Sequence, residues 1–325
     1  MRLMILAAAL AAAWASAPAH AAQAYHAPRT AQGQPDLQGF WSSASLTDLE
    51  REPGAPLTFA TRAEEDAFAR RAAAAWAMGE AGGVGQGVSE WHPRFDFARV
   101  RGKLRTSWIT WPADGRLPWR AEGLARYKAG LRDALAETAD GPEARTTAER
   151  CLFGGLGSAN PPMMNPPVGA AKQIVQTGGR EGGEVAILSE MNHDVRIVRL
   201  GGRHLPPAVR PWMGDSVGHW EGETLVVETT NFHPQEGWRN AFLLSPGARV
   251  VERFTRTGPR ELIYAFEVDD PATYTAVWKG EMPLLADAGP IYEYACHEGE
   301  TDVAQILAAS RRREAAQGAS TPASR

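Results

Sequence analysis

The fold is best inferred from the stretch Val185–Phe232, VAILSEMNHDVRIVRLGGRHLPPAVRPWMGDSVGHWEGETLVVETTNF. Strand-like runs at its two ends flank a loop that is rich in Gly, Pro, Trp and charged groups. The stretch holds three of the eight histidines of the chain. Its first strand mixes acidic, basic and imidazole side chains with apolar ones, which indicates a pocket but does not identify a reaction.

The sequence after Lys172 has the composition of a β domain. Short runs rich in Val, Ile, Thr and aromatic residues are separated by turn residues, which is typical of an antiparallel meander, sandwich or barrel. The predicted strands are 172–177, 184–190, 193–200, 223–232, 248–256, 260–268, 273–282 and 290–297. We therefore predict a mainly β (α+β) fold, an antiparallel β-barrel or sandwich of which a calycin-like barrel is one form.

Helical excursions are predicted in the N-terminal half, and a helix at the C-terminus. Thr61 and Glu64 form a capping box at the start of a helix that runs to Met78. Apolar residues at helical spacing predict a second helix within 120–139. The remaining predicted elements are strands at Asp36–Trp41 and Lys103–Trp111, a closing helix at Asp302–Arg313 and a disordered tail from Glu314.

The N-terminus has the features of an export signal. Arg2 precedes the apolar run Leu3–Ala13, and Ala19-His20-Ala21 matches an A-x-A cleavage site. The run is shorter than the ~20 residues that span a bilayer. We predict a signal peptide at 1–21, one large domain at 22–313, no membrane span, and a periplasmic or secreted location.

Charge and motifs limit the ligand classes. The formal net charge of −4 gives no electrostatic basis for binding nucleic acid, which needs a basic stripe. The glycine-rich segment Gly79–Gly87 lacks the Lys-Ser/Thr of a phosphate loop. We predict a small-molecule ligand or substrate as the partner, and no cofactor.

The two cysteines, Cys151 and Cys296, are predicted to form a disulfide because the compartment is oxidising. A catalytic thiol is the alternative.

Gly214–Gly218 matches the G-x-S-x-G motif, in which Ser216 would be a nucleophile. That motif requires a strand, a sharp turn and a helix. Here prolines precede it and a strand follows, so the context favours a turn before a strand.

The predicted strand at Met191–Val198 supplies the first candidate catalytic residue. Alternation places His193 on one face with Val195 and Ile197, and Asp194 with Arg196 on the other. A histidine on an apolar face is either a hydrogen-bonded core residue or a general base in a pocket. Asp194 and Arg196 are interpreted as an ion pair on one face.

The predicted last strand places Glu293 and His297 on one face. This pair either lines a cavity with His193 or lies on a solvated edge. We predict His193, Glu293 and His297 as the catalytic residues. A metal site made of these three is a weaker alternative, because no tight ligand spacing is present. The predicted disulfide would hold this strand close to Cys151.

Aromatic residues near these groups are predicted to form the wall of a substrate pocket. The chain has eleven tryptophans, which line ligand sites as readily as cores. The predicted substrate-binding residues are Tyr292, Tyr294, Trp212, Trp220 and Trp278.

Several motifs resemble those of a large set of secreted bacterial proteins of uncharacterised activity. The shared segments are Pro28–Thr30, Asp36–Trp41, Gln173–Thr177, Glu190–Asp194, Trp220–Val227, Glu252–Arg256 and Tyr292–Gly299. The resemblance covers nearly the whole chain after the signal and implies no catalytic roles. Gly39-Phe40-Trp41 also resembles, more weakly, the opening strand of lipocalins, which implies a calycin-like barrel.

Three functional classes follow from the sequence. The first is an acid–base enzyme, such as a lyase, isomerase or hydrolase, that acts on a small apolar or aromatic compound. The second is a calycin-like protein that binds such a compound without chemistry. The third is an envelope interaction module.

Overall fold

The structure is a computed structural model that describes residues 25–81, 96–134, 140–152, 159–165, 170–178, 182–234, 238–239 and 241–320. The predicted signal peptide lies outside these residues. The centre of the described structure is a closed barrel of nine strands, which confirms the predicted β-barrel with helical excursions.

The elements of the described chain are numbered in sequence order. The helices are α1 (Arg62–Ala81), α2 (Ala121–Ala134) and α3 (Asp302–Ser320). The strands are β1 (Gly39–Ser42), β2 (Arg99–Val100), β3 (Lys103–Leu104), β4 (Ile109–Trp111), β5 (Ala171–Thr177), β6 (Glu184–Ser189), β7 (Val195–Leu200), β8 (Asp215–Glu221), β9 (Thr224–Thr230), β10 (Trp238–Arg239), β11 (Phe242–Leu243), β12 (Arg249–Gly258), β13 (Glu261–Asp269) and β14 (Trp278–Ala286).

The barrel follows the order β1-β5-β6-β7-β8-β9-β12-β13-β14, and β14 pairs with β1 to close it. The pairs are antiparallel except β7 with β8, which are parallel. β4 pairs with Lys279 and Gly280 in the first half of β14, whereas β1 pairs with Leu285 and Ala286 at its end. Closure removes the exposed strand edges that an open sheet would present.

Strand alternation sends large apolar side chains into the barrel. Trp41, Tyr264, Phe254 and Trp278 are fully or almost fully buried and belong to one continuous core. Tyr264 contacts Phe254 and Phe266 at ring-centroid distances of 5.0 Å and 5.6 Å. The interior is therefore a packed core over much of its length rather than an open channel.

The helices form where the sequence predicts them. The capping box is present, since the Thr61 N–H donates to Glu64 Oε2 at 3.0 Å and the Glu64 N–H donates to Thr61 Oγ1 at 3.3 Å. The closing helix continues to Ser320, so the segment after Glu314 that the sequence predicts as disordered is helical as far as Ser320.

The strand predictions need several corrections. The predicted strand 273–282 corresponds to β14, which is displaced to Trp278–Ala286. Residues 290–297 are not a strand, and the last barrel strand is β14, which ends at Ala286. β8 was not predicted. Met191–His193 is a short 3-10 turn between β6 and β7 instead of the start of a strand. The predicted strand Lys103–Trp111 is divided into β3 and β4.

Candidate functional site

Several charged and polar side chains point into the barrel in phase with the apolar core. They come from five different strands or strand ends, and each is almost completely inaccessible to solvent. We call this set the interior polar cluster. Its members are Lys172, Ser189, Asp194, Arg196, Glu252 and Tyr264. Buried charges are costly unless they are paired or functional, so the cluster requires an explanation.

Arg196 and Glu252 form an ion pair across the interior. They lie on β7 and β12, which are separated by β8 and β9 in the sheet. Both terminal nitrogens of Arg196 donate to the carboxylate of Glu252, with Nη2–Oε1 at 3.0 Å and a second bond from Nη1 to Oε2. The Tyr264 hydroxyl donates to Glu252 Oε1 at 2.7 Å and accepts from the Met163 N–H at 2.8 Å. The pair is therefore bidentate and extended by a third group.

Lys172, Ser189 and Asp194 form a row across β5, β6 and the residue that precedes β7. Lys172 pairs with Ser189 in the antiparallel register, and the Ser189 N–H donates to the Asp194 carbonyl at 2.8 Å. The Lys172 Nζ donates to Ser189 Oγ at 3.3 Å. All three side chains point into the barrel. Each lies an even number of residues from a buried apolar residue of the strand that it belongs to or directly precedes, and residues at even spacing share one face of a strand. The buried residues are Ile174 for Lys172, Ile187 for Ser189 and Val198 for Asp194.

Burial lowers the pKa of the Lys172 amine to about 8. Desolvation is the main cause, and the positive charge of Arg196 acts in the same direction, whereas Asp194 and Glu190 oppose it. For Tyr264, burial raises the pKa well above its ordinary value, and the charge of Glu252 adds to that effect. Tyr264 therefore stays a neutral hydrogen-bond donor, while Lys172 changes charge close to neutral pH.

Arg196 also has a donor that remains unused. Its two terminal nitrogens bind Glu252, but within the described chain the Nε–H is buried and has no acceptor. An unsatisfied buried N–H costs about 1–3 kcal/mol. A carbonyl or carboxylate oxygen of a bound molecule would satisfy it.

The turn between β6 and β7 lies beside this row at one end of the barrel. Asn192 and His193 both have left-handed backbones, with φ of 56° and 47°. The segment that follows β14 contacts this turn, since the Tyr292 N–H donates to Glu190 Oε2 at 3.1 Å. His193 Nδ1 lies 3.2 Å from the Tyr294 carbonyl oxygen.

A disulfide joins Cys151 and Cys296, as predicted, with a Cα–Cα distance of 5.7 Å. It links the segment that contacts the β6–β7 turn to the middle of the chain. The turn, the C-terminal segment and the region of Cys151 are therefore held together at the same end of the barrel.

The predicted catalytic residues lie at this end, but on its surface. His193, Glu293 and His297 are all exposed. The strand alternation that was expected to direct them into a cavity does not apply, because neither Met191–His193 nor 290–297 is a strand. In β7 the inward face is that of Arg196, whereas Val195 and Ile197 are 44% and 43% exposed. Arg196 therefore pairs with Glu252 across the barrel rather than with Asp194.

The predicted substrate-binding aromatic residues are dispersed. Tyr292 is 75% exposed and Tyr294 is half-buried at the same end. Trp212 stacks on His233 at a ring-centroid distance of 4.0 Å. The other two belong with the core: Trp278 is fully buried within it, and Trp220 packs partly buried against it.

The G-x-S-x-G motif is part of strand β8. Ser216 is buried, and its hydroxyl lies 2.8 Å from the Thr229 Oγ1 on the neighbouring strand. The predicted turn before a strand is thus itself strand, and no nucleophile elbow forms. Among the described residues, no group of three or more His, Cys, Asp or Glu side chains is arranged to hold a metal ion.

An open groove of about 420 Å³ lies on the outer face of β12, β13 and β14. Its cations are paired: Arg253 bonds to Glu221 at 2.7 Å, and Lys279 forms an ion pair with Glu267. Such partly exposed pairs are ordinary surface charges. The interior polar cluster is therefore the better candidate site.

Sequence reasoning missed Lys172, Ser189 and Glu252, although a signal is present. Each has the same phase as apolar residues of its own strand, such as Ile174 after Lys172, and Val250 and Phe254 around Glu252. A charged residue that shares a strand face with buried apolar residues is predicted to be buried as well.

Comparison of the chain with protein-family models, with curated proteins and with solved structures gives no match. Across the part of the chain that is described, no helix combines the length and the apolar character needed to cross a membrane.

Proposed function

We propose that the protein is an exported enzyme that carries out acid–base chemistry on a small molecule inside its barrel. Lys172 is the group that accepts and returns the proton. The observation that carries the proposal is a fully buried lysine whose pKa is lowered to about 8. General acid–base catalysis is most efficient when the pKa of the catalytic group is close to the working pH.

The neighbours of Lys172 support this role. The Ser189 hydroxyl lies 3.3 Å from the amine. Asp194, in the same row, favours the ammonium form, whereas Arg196 opposes it. The balance of a desolvated site and two opposing charges allows Lys172 to take up and release a proton, which an exposed lysine does poorly at neutral pH.

The surroundings indicate a small, partly apolar substrate with at least one acceptor oxygen. Trp41 pairs with Lys172 from the neighbouring strand and is buried. Ile174 and Ile187 form the next inward row. The unused Nε–H of Arg196 supplies a buried donor for an oxygen of the substrate.

A ligand-binding barrel without chemistry is the second candidate. The observation that favours it is the bidentate Arg196–Glu252 pair with the Tyr264 hydroxyl bound to it, a network that resembles a rigid binding surface more than a reacting one. Turnover separates the two candidates, because a binder shows saturable tryptophan quenching and no product.

The first experiment tests whether a small molecule reaches Lys172. The folded protein is labelled with trace acetic anhydride from pH 6 to pH 10, and the acetylated peptides are quantified by mass spectrometry. We expect the labelling of Lys172 to rise with a midpoint of about 8. The half-exposed Lys279 is the reference for reagent access. A Lys172 that stays unlabelled throughout, while Lys279 is labelled, refutes the proposal.

The second experiment measures turnover on a panel of small esters, lactones and 2-oxo acids. We expect Lys172→Met to lower the rate by about 10²–10⁴, and Lys279→Met to leave it unchanged. Equal loss or equal retention in the two variants contradicts a catalytic Lys172. Circular dichroism of each variant controls for folding.

A further inference from the structure

We propose that Ser189 is a nucleophile and Lys172 its general base, so that the barrel hydrolyses a small carboxylic ester through an acyl-enzyme. This inference rests on the proposed function, since it requires Lys172 to exchange protons. It adds a covalent step and a substrate class to it.

Ser189 and Lys172 have the relative geometry of a nucleophile and its base. A serine is activated when a base lies within hydrogen-bond reach and a third group orients that base. Ser189 Oγ and Lys172 Nζ are 3.3 Å apart, and their strands are paired directly at these two residues. Asp194 is next in the row and acts electrostatically on the lysine. The arrangement matches the serine–lysine variant of the catalytic triad.

Arg196 supplies a buried donor to the same interior. Acyl transfer places a negative charge on the carbonyl oxygen, and fixed donors in a dry site stabilise it. The Nε–H of Arg196 is buried and meets no acceptor among the described residues, and Glu252 fixes the guanidinium plane. Arg196 is also close enough to Lys172 to influence its charge. This donor is available to the carbonyl oxygen of a bound ester.

The chemistry balances without any co-reactant other than water. Neutral Lys172 takes the proton of the Ser189 hydroxyl while Oγ bonds to the ester carbonyl carbon. The bond from that carbon to the alcohol oxygen then breaks, and the alcohol leaves with the proton from Lys172. Water attacks the acyl group next and gives a proton to Lys172, which returns it to Oγ as the carboxylic acid departs.

Both reacting groups are fully buried. The reaction therefore requires this end of the barrel to open, and a serine-directed reagent measures the opening directly. Ser189 is the last residue of β6, and the β6–β7 turn follows it immediately. The distance from the site to the end of the strand is thus short.

The test uses the disulfide-bonded protein, a small alkyl fluorophosphonate and p-nitrophenyl acetate. We expect one fluorophosphonate adduct, located by peptide mass spectrometry at Ser189, and a burst of p-nitrophenol that equals the enzyme concentration. Ser189→Ala should remove the adduct, the burst and the turnover. Ser216→Ala is the matched control, because Ser216 is also buried on a barrel strand and lies in the G-x-S-x-G motif; it should keep all three.

The outcomes separate this inference from the proposed function. No adduct, or an adduct at another serine, overturns the nucleophile, and this result does not depend on whether a variant folds. If Ser189→Ala retains turnover that Lys172→Met loses, Lys172 remains an acid–base group and only the covalent step fails. If neither change affects turnover, both proposals fail.

Discussion

Removing one partner of the Arg196–Glu252 pair should destabilise the protein far more than removing both. The side chains are 2% and 0% exposed, so neither charge is hydrated in the fold. Arg196→Met leaves the Glu252 carboxylate buried, with the Tyr264 hydroxyl as its remaining donor among the described residues. Breaking a buried pair in this way costs about 3–5 kcal/mol of unfolding free energy. Glu252→Leu alone should cost a similar amount because it leaves the guanidinium uncompensated.

The double variant Arg196→Met/Glu252→Leu removes both charges and keeps the volume. Only the Tyr264 hydroxyl loses an acceptor, and it still accepts from the Met163 N–H at 2.8 Å. One such lost bond costs about 1–3 kcal/mol. We therefore expect the double variant to be more stable than either single variant, with a coupling energy of several kcal/mol.

The assay is urea unfolding followed by tryptophan fluorescence, which the eleven tryptophans make sensitive. Equal m-values in the four proteins are the control for comparable unfolding. Additive losses, in which the double variant is less stable than both single variants, would refute the ion pair. The double variant also separates stability from function: it should fold, yet lose activity, because the Arg196 donor is gone.

Three further predictions concern the disulfide, the core and the buried lysine. Replacing Cys151 and Cys296 by Ala should lower the unfolding free energy by about 4–5 kcal/mol in the chain-entropy model, because the bridge spans 145 residues; denaturation that is insensitive to dithiothreitol in the wild type would contradict this. Gly280→Ala should cost about 1–3 kcal/mol, since its Cβ would lie 2.3 Å from the Phe266 ring; Phe266→Leu should recover part of the loss, and an unchanged urea midpoint would disprove the contact. Burial lowers the pKa of Lys172 to about 8, against about 10.4 in the unfolded chain, so the buried ammonium disfavours folding by about 3 kcal/mol below pH 8. That penalty disappears as the pH rises from 8 to about 10.5, so the stability of the wild type relative to Lys172→Met should rise over this range, and a flat difference would exclude the lowered pKa.

The barrel could be predicted from sequence because most of its strands carry an alternating pattern between clear turns. The bounds of the last strand were predicted less accurately: the sequence predicts 273–282, whereas β14 is Trp278–Ala286 and continues through Pro283, a residue that discourages a strand assignment. The structure shows why a proline is tolerated at position 283 of β14. The Glu281 N–H donates to the Trp108 carbonyl at 3.1 Å, so alternation points the nitrogen of Pro283 to the same edge of β14. Along this edge the partner of β14 is β4 before Pro283 and β1 after it. The missing N–H of Pro283 therefore interrupts no pairing with either strand.

The pattern at 290–297 alternates as well as that of a real strand, yet it forms none. Alternation indicates a chain that is able to pair, but not whether an edge remains for it. Once β14 pairs with β1, the barrel is closed, and the remaining edge of β14 is occupied by β4. The predicted positions of Glu293 and His297 depended on that strand, which is why they lie on the surface instead.

The candidate site was missed because the inward phase of β7 was assigned to the wrong residues. Val195, Ile197, Val198 and Leu200 are all apolar, so both faces of this strand resemble a core face. The partner strand decides the phase: Val198 pairs with Val185, which is buried, and Arg196 shares the face of Val198. The charge of Arg196 therefore lies inside the barrel, and the sequence of β7 alone does not reveal this.

The register of two hairpins determines whether the interior row exists. Lys172 faces Ser189 because β5 and β6 pair at these residues, and the Ser189 N–H bond to the Asp194 carbonyl fixes β6 against β7. A slip by one residue would turn Ser189 outward and separate it from the lysine. The left-handed residues Asn192 and His193 allow the chain to reverse within the few residues that this register permits. The turn residues are thus connected to the buried site through backbone geometry, even though the exposed His193 does not enter the barrel.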